Sequence, residues 1–224
     1  MKMKQLALAL FLLPLALTLA PFPVAAQAVN APIKPAQLTE KETADVSRIE
    51  TYLNDLRSVE ANFLQVSDNG SLRHGHIAIQ RPGKMRVTYD PPDKDFIVAD
   101  GTFVHMWDDE LGQQTSVPVG DGIAEFILSD PIKLSGDVVI TRYVRYPAKI
   151  ELSLVSKKEP GEGELTLVFE DRPLQLRQWK VLDPQGRTTG VSLEQPREGV
   201  TFADGTFSFV SPKLGLSPNA RQRK

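Results

Sequence analysis

Apolar residues recur at two different periods along this chain, and the change of period organises it. Val46, Ile49, Leu53, Leu56 and Val59 fall at helical spacing and form one stripe. Just before them, Thr39 and Glu42 have capping-box spacing: the threonine side chain caps the third helical N–H, and the glutamate reaches back. The pattern predicts an amphipathic helix over roughly 40–60. Beyond it, apolar and polar residues alternate, as they do in strands with one apolar face. Candidate strands cover 61–68, 73–80, 84–89, 95–99, 102–107, 113–117, 137–145, 148–156, 164–170, 174–182, 188–194 and 206–210. Turn-forming stretches such as Asp68-Asn69-Gly70, Pro91-Pro92, Asp100-Gly101 and Asp183-Pro184-Gln185-Gly186 separate them. Many short strands at this spacing predict a barrel or an open, strongly curved sheet.

Residues 120–135, GDGIAEFILSDPIKLS, break the alternation. They read as helical between Ile123 and Leu128, with Asp121 placed as a cap and Pro131 as a stop. Ile123, Phe126 and Ile127 share a stripe there. The stretch RPGKMRVTYDPP, residues 81–92, alternates strictly: Met85, Val87 and Tyr89 on one side, Lys84, Arg86 and Thr88 on the other. Arg81 stands at its start and a diproline ends it. No internal repeat is visible, and the chain reads as one domain.

The N-terminus reads as an address. Lys2 and Lys4 precede an apolar run from Leu6 to Ala20 that Pro14 interrupts, and Ala26-Gln27-Ala28 fits a small-x-small cleavage site. A signal peptide over 1–28 is expected, with a loose leader over 29–38 holding Pro32 and Pro35. Export to a bacterial periplasm fits this reading. There are no cysteines, which excludes a disulfide scaffold, a thiolate nucleophile and a lipidated cysteine. The net charge of −2 predicts neither nucleic-acid nor anionic-membrane binding.

Catalytic signals are weak. His74 and His76 could share a strand face, but no cysteine or acidic cluster stands at ligand spacing beside them, so no metal site and no cofactor is expected. Asp108-Asp109-Glu110 reads as a solvated hairpin tip. There is no nucleophile elbow, no His-Glu-x-x-His and no phosphate loop, so the chain is not expected to be an enzyme. What remains is apolar strand surface: Met85, Val87, Tyr89, Phe103 and Trp107, with Phe96 and Val98 between. These side chains form either a plain core or the wall of a cavity for an apolar ligand.

The order and spacing of several short pieces resemble the outer-membrane lipoprotein carrier family, the LolA family of periplasmic chaperones. These pieces are Ala61-Asn62-Phe63-Leu64-Gln65, Arg81-Pro82-Gly83-Lys84-Met85-Arg86, Tyr89 before the prolines, Ile97-Val98-Ala99-Asp100-Gly101, Trp107, and Phe207-Ser208-Phe209 with Pro212. The resemblance covers nearly all of the chain after the signal. It implies a mainly β fold with helices (α+β): an incomplete, strongly curved antiparallel β-barrel covered by a helical lid, over 39–224.

It also implies a monomeric carrier. The protein would take acylated lipoproteins from an inner-membrane ABC transporter and deliver them to an outer-membrane receptor. A latch arginine bonding lid-helix backbone would fall on Arg81, a helix contact on Leu53, and the lid on Ile123 to Leu128, including Phe126 and Ile127. The proline that often opens the lid is replaced here by Ala124-Glu125, and Arg86 is a second candidate for the latch. A related lipid- or glycolipid-binding module and a periplasmic hydrolase are the alternative readings.

Overall fold

The computed structural model describes residues 33–120 and 126–212. The expected signal segment, Ile123 and the end of the chain lie outside those residues. Helix α1 (Glu40–Asp55) begins with the expected capping box, in which Thr39 accepts from the Glu42 amide and Glu42 accepts from the Thr39 amide. It ends earlier than the periodicity predicts, with Leu56 as C-cap. Val59 continues the helical spacing by sequence but lies in the first strand, where alternation buries it among sheet side chains.

Among the described residues eleven strands follow: β1 (Ser58–Val66), β2 (Leu72–Gln80), β3 (Lys84–Tyr89), β4 (Phe96–Asp100), β5 (Phe103–Asp108), β6 (Gln113–Pro118), β7 (Val138–Arg145), β8 (Lys149–Ser156), β9 (Glu164–Asp171), β10 (Leu174–Leu182) and β11 (Thr188–Glu198). They form one antiparallel sheet in the order β6-β5-β4-β3-β2-β1-β11-β10-β9-β8-β7. The sheet is not closed: β6 and β7 are its two edges. The connection between them runs from one edge to the other and includes a helical turn at 126–128.

Two apolar clusters cover one face. The first joins Phe63, Ile77, Val87, Tyr89, Met106 and Leu128. The second joins Ile49 and Leu53 of α1 with Ile132, Leu134 and strand residues such as Leu152, Leu167 and Phe169. Leu176 and Trp179 of β10 pack against both clusters. Three residues apart, they would point to opposite faces of a regular strand. A register shift between Leu176 and Gln178 brings them to the same one.

Two sequence expectations fail here. The 206–210 segment is not a strand. Phe207 is buried instead against Phe202, edge-on with centroids 5.1 Å apart, and Phe209 stacks on His105 at 4.4 Å. These aromatic contacts hold the tail against the far side of the sheet without ladder pairing.

The second failure concerns Phe103 and Trp107, which do not join the wall formed by Met85, Val87 and Tyr89. Ala99 pairs with Val104 and Ile97 with Met106, so Val104 and Met106 face the first cluster. Phe103 and Trp107 therefore point to the other face, and Phe103 is 43% exposed.

Gly75 on β2 pairs with both Phe63 and Tyr89, whose rings meet edge to face at 5.5 Å. A Cβ at position 75 would lie 2.3 Å from the Thr88 carbonyl oxygen and 2.7 Å from the Phe63 ring. Gly75→Ala is therefore expected to destabilise the protein by about 2 kcal/mol, read as a lower denaturant midpoint. An unchanged midpoint would show that this close approach is not required.

Candidate functional site: an apolar cavity beneath helix α1

The stripe of α1 that carries Leu53 and Leu56 faces the sheet, and between them lies a cavity of about 40 Å³. Its floor is Ile77, Ile79, Leu176 and Trp179, and its cover is Leu53, Leu56, Phe126 and Ile127. Tyr52 stands at the margin. Its hydroxyl donates to Glu198 Oε1 at 2.7 Å and accepts from the Leu176 amide at 3.1 Å. Burial, reinforced by the Glu198 carboxylate, pushes the Tyr52 phenol well above its ordinary value. It therefore stays a neutral donor.

Arg81 bonds the end of the helix. It is 7% exposed. Its Nε donates to the Leu56 carbonyl at 2.9 Å, Nη2 reaches the carbonyls of both Leu53 and Leu56, and Nη1 donates to the Ser129 carbonyl at 3.3 Å. The final carbonyls of a helix have no partner within it, and a guanidinium suits them in charge and in shape. Burial and the nearby Arg57 cation lower the Arg81 pKa from its ordinary value, while Asp130 opposes them. Arg86, the other candidate, points to the far face and donates to the Thr206 carbonyl at 3.3 Å. Only Arg81 of the two reaches the helix.

Further bonds join α1 to the connection between β6 and β7. Asn54 donates to the Ile132 carbonyl and accepts from the Ile132 amide, each at 2.9 Å. Glu50 accepts from the Leu134 amide at 2.7 Å, and the Gly83 amide donates to the Leu128 carbonyl at 2.9 Å. The helix and residues 128–134 thus form one bonded layer over the sheet.

The other half of α1 is tied to the sheet by charge. Asp171, with a side chain 2% exposed, accepts from Arg48 at 2.5 Å and from Arg145 at 2.6 Å. Asp45 in turn pairs with Arg145 and accepts from the Tyr143 hydroxyl. The Arg48 guanidinium, helped by Arg145 and Arg172, holds the Asp171 carboxyl below the usual carboxylate range.

Of the residues singled out from the sequence, Leu53, Arg81, Phe126 and Ile127 line the cavity. Met85, Val87, Tyr89 and Leu128 belong to the adjoining apolar cluster. Burial pushes the Tyr89 phenol up to about 12 despite the Arg73 cation over its ring, and its hydroxyl bonds Gln65 Oε1 at 2.9 Å. Sequence reasoning missed Ile77, Ile79, Leu176, Trp179 and Asn54. The alternation of 73–80 already carried the first two, whereas the bulge in β10 hid the next pair.

The site is thus a single broad sheet with one apolar face, covered by a helix over a small apolar cavity. Residues 54–210 match the family described as "Outer membrane lipoprotein carrier protein LolA", and the chain belongs to that family. It is 28% identical over 186 residues to an outer-membrane lipoprotein carrier protein of Methylococcus capsulatus, covering 80% of this chain and 88% of that one. A protein of the same description from Methylobacillus flagellatus is 26% identical over 176 residues, covering 75% of this chain and 85% of that one. The crystal structure of a LolA superfamily protein from Nitrosomonas europaea has a TM-score of 0.41 and 9% identity, covering 73% of this chain and 97% of that one.

Proposed function

We propose that this protein is a periplasmic carrier that shelters the acyl chains of lipoproteins released by an inner-membrane ABC transporter and passes them to an outer-membrane receptor. The observation that carries the reading is a buried arginine closing a helix over an apolar cavity. An acyl chain of about 15 methylenes costs roughly 12 kcal/mol to hold in water, so it cannot cross an aqueous compartment alone. A carrier must cover that surface and later surrender it.

The cavity, at about 40 Å³, holds only a few water-sized groups. Ligand sites usually need roughly 300–1,000 Å³. Helix α1 and residues 128–134 are therefore read as a lid that lifts as the ligand enters. Bonds to a charged donor are worth about 1.5–3 kcal/mol each. A few of them close an empty site, and the burial of several methylenes outweighs them. No nucleotide is required at the carrier in this scheme, because the transporter supplies the work.

Mass spectrometry of ligand co-purified with the full chain from the periplasm tests the proposal. An acylated polypeptide is the expected species. A sterol, a glycolipid or another lipid without a polypeptide in its place would refute the assignment.

A further inference from the structure

A second cavity, of about 350 Å³, lies beside the first, at the β7 edge of the sheet. Phe126 lines both. Leu167 lines the first and Leu165 the second, two residues apart on the same face of β9. Ile132 lines the first, while its neighbours Pro131 and Lys133 line the second. Among the described residues, Phe126 and the chain at 131–133 thus border both spaces.

Their chemistry differs. The first is lined almost wholly by hydrocarbon. The second has an apolar base, Leu154 and Leu165, beneath an exposed rim that includes Ser135, Asp137 and Lys158. Asp137 and Lys158 pair across that rim at 3.0 Å. Both signs of charge are present together, so the rim does not single out an anion. It suits a neutral, hydrogen-bonding group that is part hydrocarbon. β7 is the last strand of the sheet, where the Ala36 amide donates to the Ile140 carbonyl at 2.8 Å, and the rim at Ser135, Gly136 and Asp137 is exposed, which leaves a chain a way out to solvent there.

We infer that the second cavity seats the junction of the ligand, the glyceryl ester and first peptide units, while the hydrocarbon enters the first past Phe126. The inference rests on the carrier reading. It assigns the polar part of the same ligand to a place where the folded remainder of the cargo hangs free in solvent. The volume falls within the range of sites that hold small molecules.

Two probes test it on the full chain: sodium palmitate and a synthetic triacylated lipopeptide with a short peptide. Ser135→Trp fills the second cavity from its exposed rim. Its affinity for the lipopeptide should fall about tenfold or more, about 1.4 kcal/mol, with palmitate affinity unchanged. Unchanged lipopeptide affinity overturns the assignment. So does an equal loss of both probes by a variant with the wild-type melting temperature.

A photo-crosslinker at position 135 provides a second readout that leaves the cavity open. Adducts on the peptide or glyceryl end support the assignment, and adducts on the acyl tails alone overturn it. Wild-type protein that binds neither probe would instead remove the carrier reading itself.

Discussion

Arg81→Leu is expected to leave the sheet folded and to loosen its cover. The substitution removes the donors to the Leu53, Leu56 and Ser129 carbonyls. Those at the helix end would be left without their charged partner while still half-covered. With bonds to charged donors at about 1.5–3 kcal/mol each, and not additive, the closed arrangement should lose about 3 kcal/mol. Amide exchange should therefore quicken at 53–57 and 126–129, with strands β8 and β9 protected as before.

The functional consequence has a definite sign. A closed state that is less stable competes less with the ligand, so affinity for an acylated probe should rise and its release to an acceptor should slow. Wild-type exchange rates together with wild-type transfer would remove Arg81 from the latch role.

Asp171→Ala should act at the opposite end of the same helix. It removes the more deeply buried of the two carboxylates that Arg48 and Arg145 share, leaving them Asp45. Removing one partner of a fully buried ion pair costs about 3–5 kcal/mol. Arg48 is 42% exposed, and water screens part of that loss, so about 2 kcal/mol at neutral pH is expected.

The pH dependence follows from the direction of the shift. Asp171 has a folded pKa held below its ordinary value by Arg48, so its stabilisation is complete above the usual carboxylate pKa of about 4. It is lost as pH falls through the lower, folded value. Wild type and Asp171→Ala should thus differ in denaturant midpoint at pH 7 and converge under strong acid. A difference that stays constant down to low pH would show that the carboxylate charge is not the cause.

Much of this arrangement was legible in the sequence, because alternation and turn residues are local signals. The strand that begins at Lys84 and the face shared by Met85, Val87 and Tyr89 follow from period two alone. The facing of β5 does not. Both of its sides are apolar, since the tail at 206–210 covers the side carrying Phe103 and His105. The heavier aromatics therefore pointed to the wrong face, while the smaller Val104 and Met106 fill the core.

Arg81 was marked only by family resemblance. Its partners lie on a helix 25 and 28 positions away, and no spacing rule connects them. The same holds for Asn54 with Ile132, 78 positions apart, and for Arg48 with Asp171, 123 apart. Contacts of that separation are products of topology.

The sheet order has a consequence for how the chain is made. β1, the first strand, lies at the centre beside β11, the last, with Phe63 opposite Leu193. The strands on either side follow one another as neighbouring hairpins, β2 to β6 and β7 to β10, so each half can assemble from local contacts. The central seam must wait for the largest loop in the molecule to close. During synthesis β1 therefore carries an open, hydrogen-bonding edge until β11 emerges, the interval in which this chain is most exposed to pairing with a foreign strand.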